Sequence, residues 1–136
     1  MDYLRLNMDL VRKILLVVEE NTDFDSYYRY EPERNDKLLR KYSHEEIIYH
    51  LYQCDLSGLI EAEIPDDGTY AVVKDLTPKG HEFLTNIRQD NIWNTIKGIG
   101  TKLGTTSLSA FIQISSNVVS KIIKAYLGAN GLLPIP

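Results

Sequence analysis

The stretch from residue 43 to residue 58 constrains the fold most, because it specifies both ends of one helix. Ser43 and Glu46 form an S-x-x-E capping box, in which the hydroxyl and the carboxylate each accept a hydrogen bond from a backbone N–H at the helix start. Gly58 provides the left-handed residue that commonly ends a helix. The spacing therefore predicts a helix from residue 43 to about Ser57.

A β-hairpin and another helix are predicted directly after this helix. In LIEAEI, at 59–64, apolar residues alternate with glutamates, which is typical of a strand with one solvent-facing side. PDDG at 65–68 predicts a tight turn, and TYAVVKD at 69–75 predicts the returning strand. Thr77 then caps a helix that has Pro78 at its first position, where the missing N–H of proline costs nothing.

The other segments complete an α+β pattern. Asn7 is placed to cap a first helix, Pro32 ends a short strand, and residues 35–42 form a short helix at best. A long last helix is expected from about Ser107 to Leu127. We therefore predict three regions, which are a winged-helix-like domain over 1–97, a glycine-containing joint over 98–106, and a C-terminal oligomerisation helix with its tail over 107–136.

Composition favours a cytoplasmic protein. Cys54 is the only cysteine, so no internal disulfide can form, which fits a reducing compartment. The N-terminal segment has no basic stretch followed by an apolar core and does not resemble a signal peptide. The uncharged run at 103–120 contains many Ser and Thr residues, whereas a membrane span is predominantly apolar over ~20 residues. We therefore expect no membrane association.

Several motifs together resemble one family of small phage and prophage proteins, the domain of unknown function 2513. The motifs are YHL around His50, GLI at 58–60, LTxxGH at 76–81 and IRQDNIW at 87–93. The resemblance implies a cytoplasmic protein of winged-helix type from a bacterium or a phage. It transfers no catalytic residue to this chain.

The charge of the predicted helix and hairpin argues against DNA as the partner. Residues 43–73 contain seven acidic residues and no Lys or Arg, and the whole chain has a formal net charge of −4. Because DNA-binding proteins gain much of their affinity by neutralising phosphates, an acidic surface would be repelled. Nucleic acid stays an alternative through the basic cluster before the helix, whose members are Arg34, Lys37, Arg40 and Lys41. The other interpretation of this cluster is a solvated surface.

Tyr49, Tyr52 and Leu56 lie on the face of the predicted helix that is opposite to its core residues. Tyrosine is enriched in the interfaces between proteins. This face is therefore a candidate surface for a partner protein. The alternatives are packing against another part of the same chain and contact with nucleic acid.

No pattern predicts a catalytic, cofactor or metal site. His50 and Cys54 have the i, i+4 spacing of metal ligands, and a Cys–His pair can also act in nucleophilic catalysis. Both residues fall on the predicted core face, however, where a cysteine behaves as a small apolar side chain. An enzyme built on this pair is therefore the least favoured hypothesis.

The last helix carries an apolar stripe that is longer than the domain before it. About 21 helical residues span ~31 Å, whereas a domain of ~90 residues is about 25 Å across. Self-association would bury the part of the apolar stripe that extends beyond the domain. The alternative is that the helix folds back on the first helix. The candidate interface residues are Leu108, Phe111, Ile112, Val118, Val119 and Ile122.

These features together predict a function class. We expect a non-enzymatic protein-binding or regulatory module that forms a homo-oligomer and binds an unidentified partner protein. A DNA-binding transcriptional regulator is the alternative.

Overall fold

The computed structural model describes residues 5–105 and 107–131 of the 136-residue chain. Its elements, in order, are α1 (Met8–Asn21), β1 (Tyr28–Tyr30), α2 (His44–Leu56), β2 (Ile60–Glu63), β3 (Ala71–Leu76), α3 (Pro78–Ile87), α4 (Asp90–Leu103) and α5 (Leu108–Ala129). This order confirms a mixed α+β protein with a small antiparallel sheet and a long C-terminal helix. Residues 1–4 of the predicted first domain and residues 132–136 of the predicted tail lie outside the described residues.

The helix caps form as their sequences predict. At α1, the Asn7 side chain accepts hydrogen bonds from two backbone N–H groups of the first turn. At α2, Ser43 and Glu46 make both hydrogen bonds of the capping box. Gly58 has φ +74°, a left-handed conformation that glycine adopts without steric cost, and α2 ends just before it.

The three strands form an antiparallel sheet in the order β1-β3-β2. β2 and β3 are the predicted hairpin, and β1 pairs with the other edge of β3, with Tyr28 opposite Val73. A β-bulge interrupts the β2–β3 register just before Ala62. Asp55, at the end of α2, accepts a hydrogen bond from the backbone N–H of Ala62 at 3.1 Å. This contact ties the bulge in β2 to the helix that precedes it.

The chain divides into two compact units, Met1–Thr85 and Asn86–Pro136. In the first unit, α1 packs against α2 and against β3. The apolar face of α1 is buried along its whole length, through Leu10, Val11, Ile14, Leu15, Val17 and Val18. Complete burial of one such side chain contributes about 1.5–3 kcal/mol, so α1 supplies much of the core that supports α2.

The segment before α2 differs from the prediction. Residues 37–41 form consecutive turns instead of the short helix considered for 35–42. Leu39 is buried and accepts a backbone hydrogen bond from Tyr42, while its neighbours are exposed. One buried anchor over so few residues does not compensate for the cost of nucleating a helix.

The second unit contains α4 and α5, which pack against each other. α4 continues through Gly98 and Gly100 and ends at Gly104, which has φ +67°. A Cβ on Gly100 would lie 2.6 Å from the Phe111 ring, so this glycine permits close packing of two helices. Helix therefore occupies residues 98–103 of the predicted joint. An isolated glycine inside a helical pattern can have such a packing reason and does not have to mark a break.

α5 has 22 residues, a length of ~33 Å. Leu108 and Phe111 are buried within the single chain, with the Phe111 ring centroid 6.2 Å from that of Trp93. Two of the predicted interface residues, Leu108 and Phe111, thus pack inside the second unit. From residue 116 to residue 129, every side chain is at least partly exposed.

Among the residues that the structure describes, no helix is both long and apolar enough to cross a membrane.

Candidate functional site

A groove lies between the outer face of α2 and the turn of the hairpin, which we define as residues 64–68. We term it the α2–turn groove, and its volume is about 580 Å³. Its lining residues are His44, Glu45, Ile48, Tyr49 and Tyr52 from α2 and Ile64, Pro65, Asp66, Asp67 and Gly68 from the turn. The walls therefore combine aromatic and aliphatic surface with carboxylates.

His44 holds the turn against the start of α2. Its Nε2 lies 2.8 Å from the carbonyl oxygen of Gly68, and its Nδ1 lies 3.0 Å from the hydroxyl of Tyr30. A carbonyl oxygen can only accept, so Nε2–H donates to Gly68, and in the neutral ring Nδ1 accepts from Tyr30. The two rings also stack, with their centroids 5.6 Å apart. His44 thus joins β1, α2 and the turn and sets the distance between the groove walls.

His50 holds α2 against the start of α1. Its Nε2 accepts a hydrogen bond from the backbone N–H of Asn7 at 2.8 Å, and its Nδ1–H donates to the carbonyl oxygen of Glu46 at 2.7 Å. Because each partner has a single role, the ring is the neutral Nδ1–H tautomer. Burial lowers the pKa of His50. On the groove side, the Tyr49 ring packs edge-on against this imidazole at 5.4 Å.

The corner between α2 and β2, at residues 57–59, is held by the first turn of α3. The backbone N–H of Thr77 donates to the carbonyl oxygen of Leu59 at 3.0 Å. The Thr77 hydroxyl donates to the carbonyl oxygen of Gly58 at 2.5 Å. Gly80 lies so close to the corner that a Cβ there would overlap the Leu59 carbonyl. The direction in which the hairpin leaves α2 therefore depends on a contact between two stretches of backbone.

Six of the seven acidic residues of 43–73 fall into two groups. Some are used within the fold, since Glu46 closes the capping box, Asp55 bonds to the bulge and Glu61 lies 3.8 Å from Lys74. Glu63 is exposed at the end of β2. The second group lines the groove and forms no ion pair with any described residue; its members are Glu45, Asp66 and Asp67. The groove therefore presents negative charge that the described part of the chain does not neutralise.

The three interface candidates on α2 have different surroundings. Tyr52 is 47 % exposed and Leu56 is 61 % exposed, so packing against other described residues does not cover them. Tyr49 is half-buried beside His50. Tyr49 and Tyr52 line the groove, whereas Leu56 lies outside its lining.

The basic cluster lies outside the groove lining. Arg34 is engaged within the chain, because its Nε lies 3.0 Å from Asp36 and its guanidinium lies over the Tyr28 ring at 4.6 Å. Lys37, Arg40 and Lys41 are exposed. Contact with a nucleic acid would therefore depend mainly on three of the four predicted side chains.

The His50–Cys54 pair lies in the core, as its position on the helix predicts. Cys54 is buried, and burial raises the pKa of its thiol to about 12, so it is not a thiolate at neutral pH. Both ring nitrogens of His50 are already bonded to backbone groups. Among the described residues, no group of three or more His, Cys, Asp or Glu side chains is placed to hold a metal ion.

The chain resembles known proteins over most of its length. The protein family DUF2513, described as "Hypothetical protein", matches residues 5–107. The chain belongs to the DUF2513 family. A relative from Haemophilus influenzae (strain ATCC 51907 / DSM 11121 / KW20 / Rd), named "Uncharacterized protein", is 30 % identical over 127 residues, which cover 88 % of this chain and 99 % of the relative. No solved structure matches the chain.

The DUF2513 match covers the whole α2–turn groove and ends at residue 107, directly before α5. Three of the four motifs that carry the resemblance have structural roles in the first unit. YHL contains His50, which bonds to the cap of α1. GLI and LTxxGH contain the two sides of the corner contact between Leu59 and Thr77. These motifs therefore contribute the contacts that hold α2 and the start of the hairpin in place beside the groove.

Sequence reasoning missed part of the site. It did not identify the turn as a groove wall or His44 as the residue that holds it. His44 and Gly68 are 24 positions apart, and no periodic pattern connects a turn with the start of an earlier helix. The only available signal was the tight PDDG turn, which limits how far the hairpin can extend from α2.

Proposed function

We propose that this DUF2513 protein is a non-enzymatic protein-binding or regulatory module, and that the α2–turn groove is its contact surface for a partner protein. The observation that carries the proposal is an open groove that combines two tyrosines with three carboxylates lacking an ion-pair partner among the described residues. Exposed aromatic surface with a polar rim is typical of interaction sites. The phage or prophage origin implied by the resemblance belongs to the same proposal.

The element order supports a winged-helix-like description of the first unit. Apart from one helix that the winged-helix fold has between β1 and α2, the elements follow the order of that fold, with α2 at the position of the recognition helix and the hairpin at the position of the wing. In a DNA-reading helix-turn-helix, however, another helix precedes the recognition helix and crosses the DNA backbone. Here residues 37–41 form turns, which favours a ligand other than DNA.

Electrostatics favours a protein over a nucleic acid at this surface. Residues 43–73 contain no Lys or Arg. A duplex placed against α2 and the hairpin would bring its phosphates next to Glu45, Asp66 and Asp67. Such like-charge contacts cost free energy, and counterion release, the main source of affinity for DNA, needs cations on the protein.

Replacement of Tyr52 by Ala is expected to reduce capture of the partner. The full chain is immobilised, exposed to nuclease-treated extract of its native host, and the bound proteins are quantified by mass spectrometry. An exposed tyrosine at an interface centre can contribute about 2 kcal/mol or more, so we expect a loss of more than about tenfold. Tyr27→Ala is the matched control, because Tyr27 is 57 % exposed and lies outside the groove lining.

Two results would count against the proposal. One is equal capture by the Tyr52→Ala and Tyr27→Ala variants. The other is salt-dependent retention of the protein on DNA that is lost when Lys37, Arg40 and Lys41 are replaced by Ala, because this would favour the DNA-binding alternative.

We also propose that the exposed end of α5 forms a homo-oligomer. The buried side of α5, at Leu108 and Phe111, continues along the helix into side chains that nothing in the described chain covers. Ile122, Ile123 and Tyr126 are 45 %, 50 % and 63 % exposed. Contiguous apolar surface of this kind marks interaction sites in soluble proteins. The remaining interface candidates are Ile112, Val118, Val119 and Ile122.

The double replacement Ile122→Asp with Tyr126→Ser is expected to convert the oligomer to a monomer, because it places charge and polar atoms in the apolar face. Light scattering should give at least twice the 15.6 kDa chain mass for the unchanged protein and the single-chain mass for the variant. Ser120→Asp with Lys124→Arg changes the net charge equally at exposed positions of the polar face and is the matched control. A single-chain mass for the unchanged protein would end this part of the proposal.

A further inference from the structure

We propose that the α2–turn groove binds an arginine side chain that a segment of the partner protein presents. This inference rests on the proposed function, because it names the chemistry of the partner at the same surface. Three observations support it. Two concern the groove, and the third concerns the contacts that two arginines of the first unit make with tyrosine rings and carboxylates.

The first observation is the unneutralised charge. Glu45 and Asp66 have no ion-pair partner among the described residues, and neither does Asp67, which accepts hydrogen bonds from Thr69 through Oδ1 alone. These side chains line opposite walls, one on α2 and the others on the turn. A cation between the walls could contact both, which favours a positively charged group over a neutral one.

The second observation is the aromatic surface beside these carboxylates. Tyr49 and Tyr52 lie on the α2 wall, and Ile64 and Pro65 lie on the turn. The planar guanidinium of arginine stacks on aromatic faces and is more weakly hydrated than the ammonium of lysine. A groove with both ring surface and carboxylates therefore matches arginine better than lysine.

The third observation is that the first unit contains this arrangement twice, in each case with an arginine present. Arg34 lies over the Tyr28 ring at 4.6 Å, and its Nε bonds to Asp36 at 3.0 Å. Arg29 lies over the Tyr70 ring at 4.2 Å.

Arg29 also pairs with the carboxylate of Glu31. In both cases a tyrosine ring and a carboxylate hold one guanidinium. The α2–turn groove offers the ring and the carboxylates, and within the described residues no arginine lines it.

The test is a titration of the full-length, isotope-labelled protein followed by NMR. The probes are three blocked pentapeptides, Gly-X-Gly-X-Gly, in which X is arginine, lysine or citrulline. Citrulline has the shape of arginine without its charge. We expect saturable shifts confined to residues 44–52 and 64–68, with affinity in the order arginine, lysine, citrulline.

Matched variants distinguish specific binding of the peptide in the groove from non-specific attraction of a cationic peptide to an acidic protein. Glu45→Gln with Asp66→Asn is expected to lower the affinity of the groove for the arginine peptide about tenfold. Glu20→Gln with Glu82→Gln changes the net charge equally at exposed positions outside the groove and should leave its affinity unchanged.

Several outcomes would overturn the inference. These are equal affinity for the arginine and citrulline peptides, shifts centred elsewhere, and equal weakening by the two double variants. If no peptide binds while capture of the partner protein still depends on Tyr52, the arginine inference fails and the proposed function stands. If capture does not depend on Tyr52, the proposed function fails independently of the peptide result.

Discussion

Replacing Gly80 by Ala is expected to lower the free energy of unfolding by about 3–4 kcal/mol. The added Cβ would overlap the carbonyl oxygen of Leu59 and lie 2.9 Å from its carbonyl carbon. Because the obstacle is backbone, no side-chain rotation relieves the overlap. The first turn of α3 must instead move away from the corner at 57–59, which breaks the hydrogen bonds of Thr77 to Gly58 and Leu59.

Urea unfolding followed by circular dichroism measures this effect. Gly98→Ala is the control, because a Cβ at Gly98 would meet no atom within 4 Å. Alanine inside a helix is more favourable than glycine, so the control should raise the free energy of unfolding by about 0.5–1 kcal/mol. Equal stability of Gly80→Ala and the unchanged protein would contradict the close approach of α3 to the corner.

The second large effect concerns the pH dependence of stability through His50. Burial holds the pKa of this imidazole below its ordinary value of 6.5, so the unfolded chain binds a proton more readily than the folded chain. Its contribution to stability is present above pH 6.5 and is lost as pH falls through the lower pKa of the folded state. Protonation would also place an N–H on Nε2 opposite the N–H of Asn7.

His50→Gln is expected to reduce this acid sensitivity, because an amide oxygen can accept from Asn7 and the amide does not titrate. His50→Leu removes the acceptor and leaves the Asn7 N–H without its partner, which should cost about 1–3 kcal/mol at neutral pH. The measurement is the free energy of unfolding of all three proteins between about pH 8 and about pH 5.5. The same loss of stability in His50→Gln and the unchanged protein would contradict the assignment.

Local patterns were sufficient to predict most of the helices and the hairpin. The capping residues Asn7 and Ser43 and the stop at Gly58 act through backbone groups only a few residues away, so their effect can be read without the rest of the fold. The buried face of α1 follows from helical spacing alone.

Features that depend on contacts between distant residues could not be predicted in this way. Gly100 is a packing residue because of the Phe111 ring, and Phe111 is buried because α4 provides Trp93 beside it. Neither contact can be inferred from the few residues on either side of Gly100 or Phe111. The groove is a further example, since Tyr52 was a candidate from its helix face, whereas its opposite wall at 64–68 depends on the hydrogen bond between His44 and Gly68.

The central claim is that the outer face of α2, with the hairpin turn, contacts a protein. The most direct test is a photo-crosslinking amino acid placed at position 52 in the full chain, with position 37 in the basic cluster as the comparison, in living native host cells. We expect a discrete protein adduct from position 52 and a much weaker one from position 37. A nucleic-acid adduct from position 52, or a protein adduct from position 37 alone, would contradict this claim.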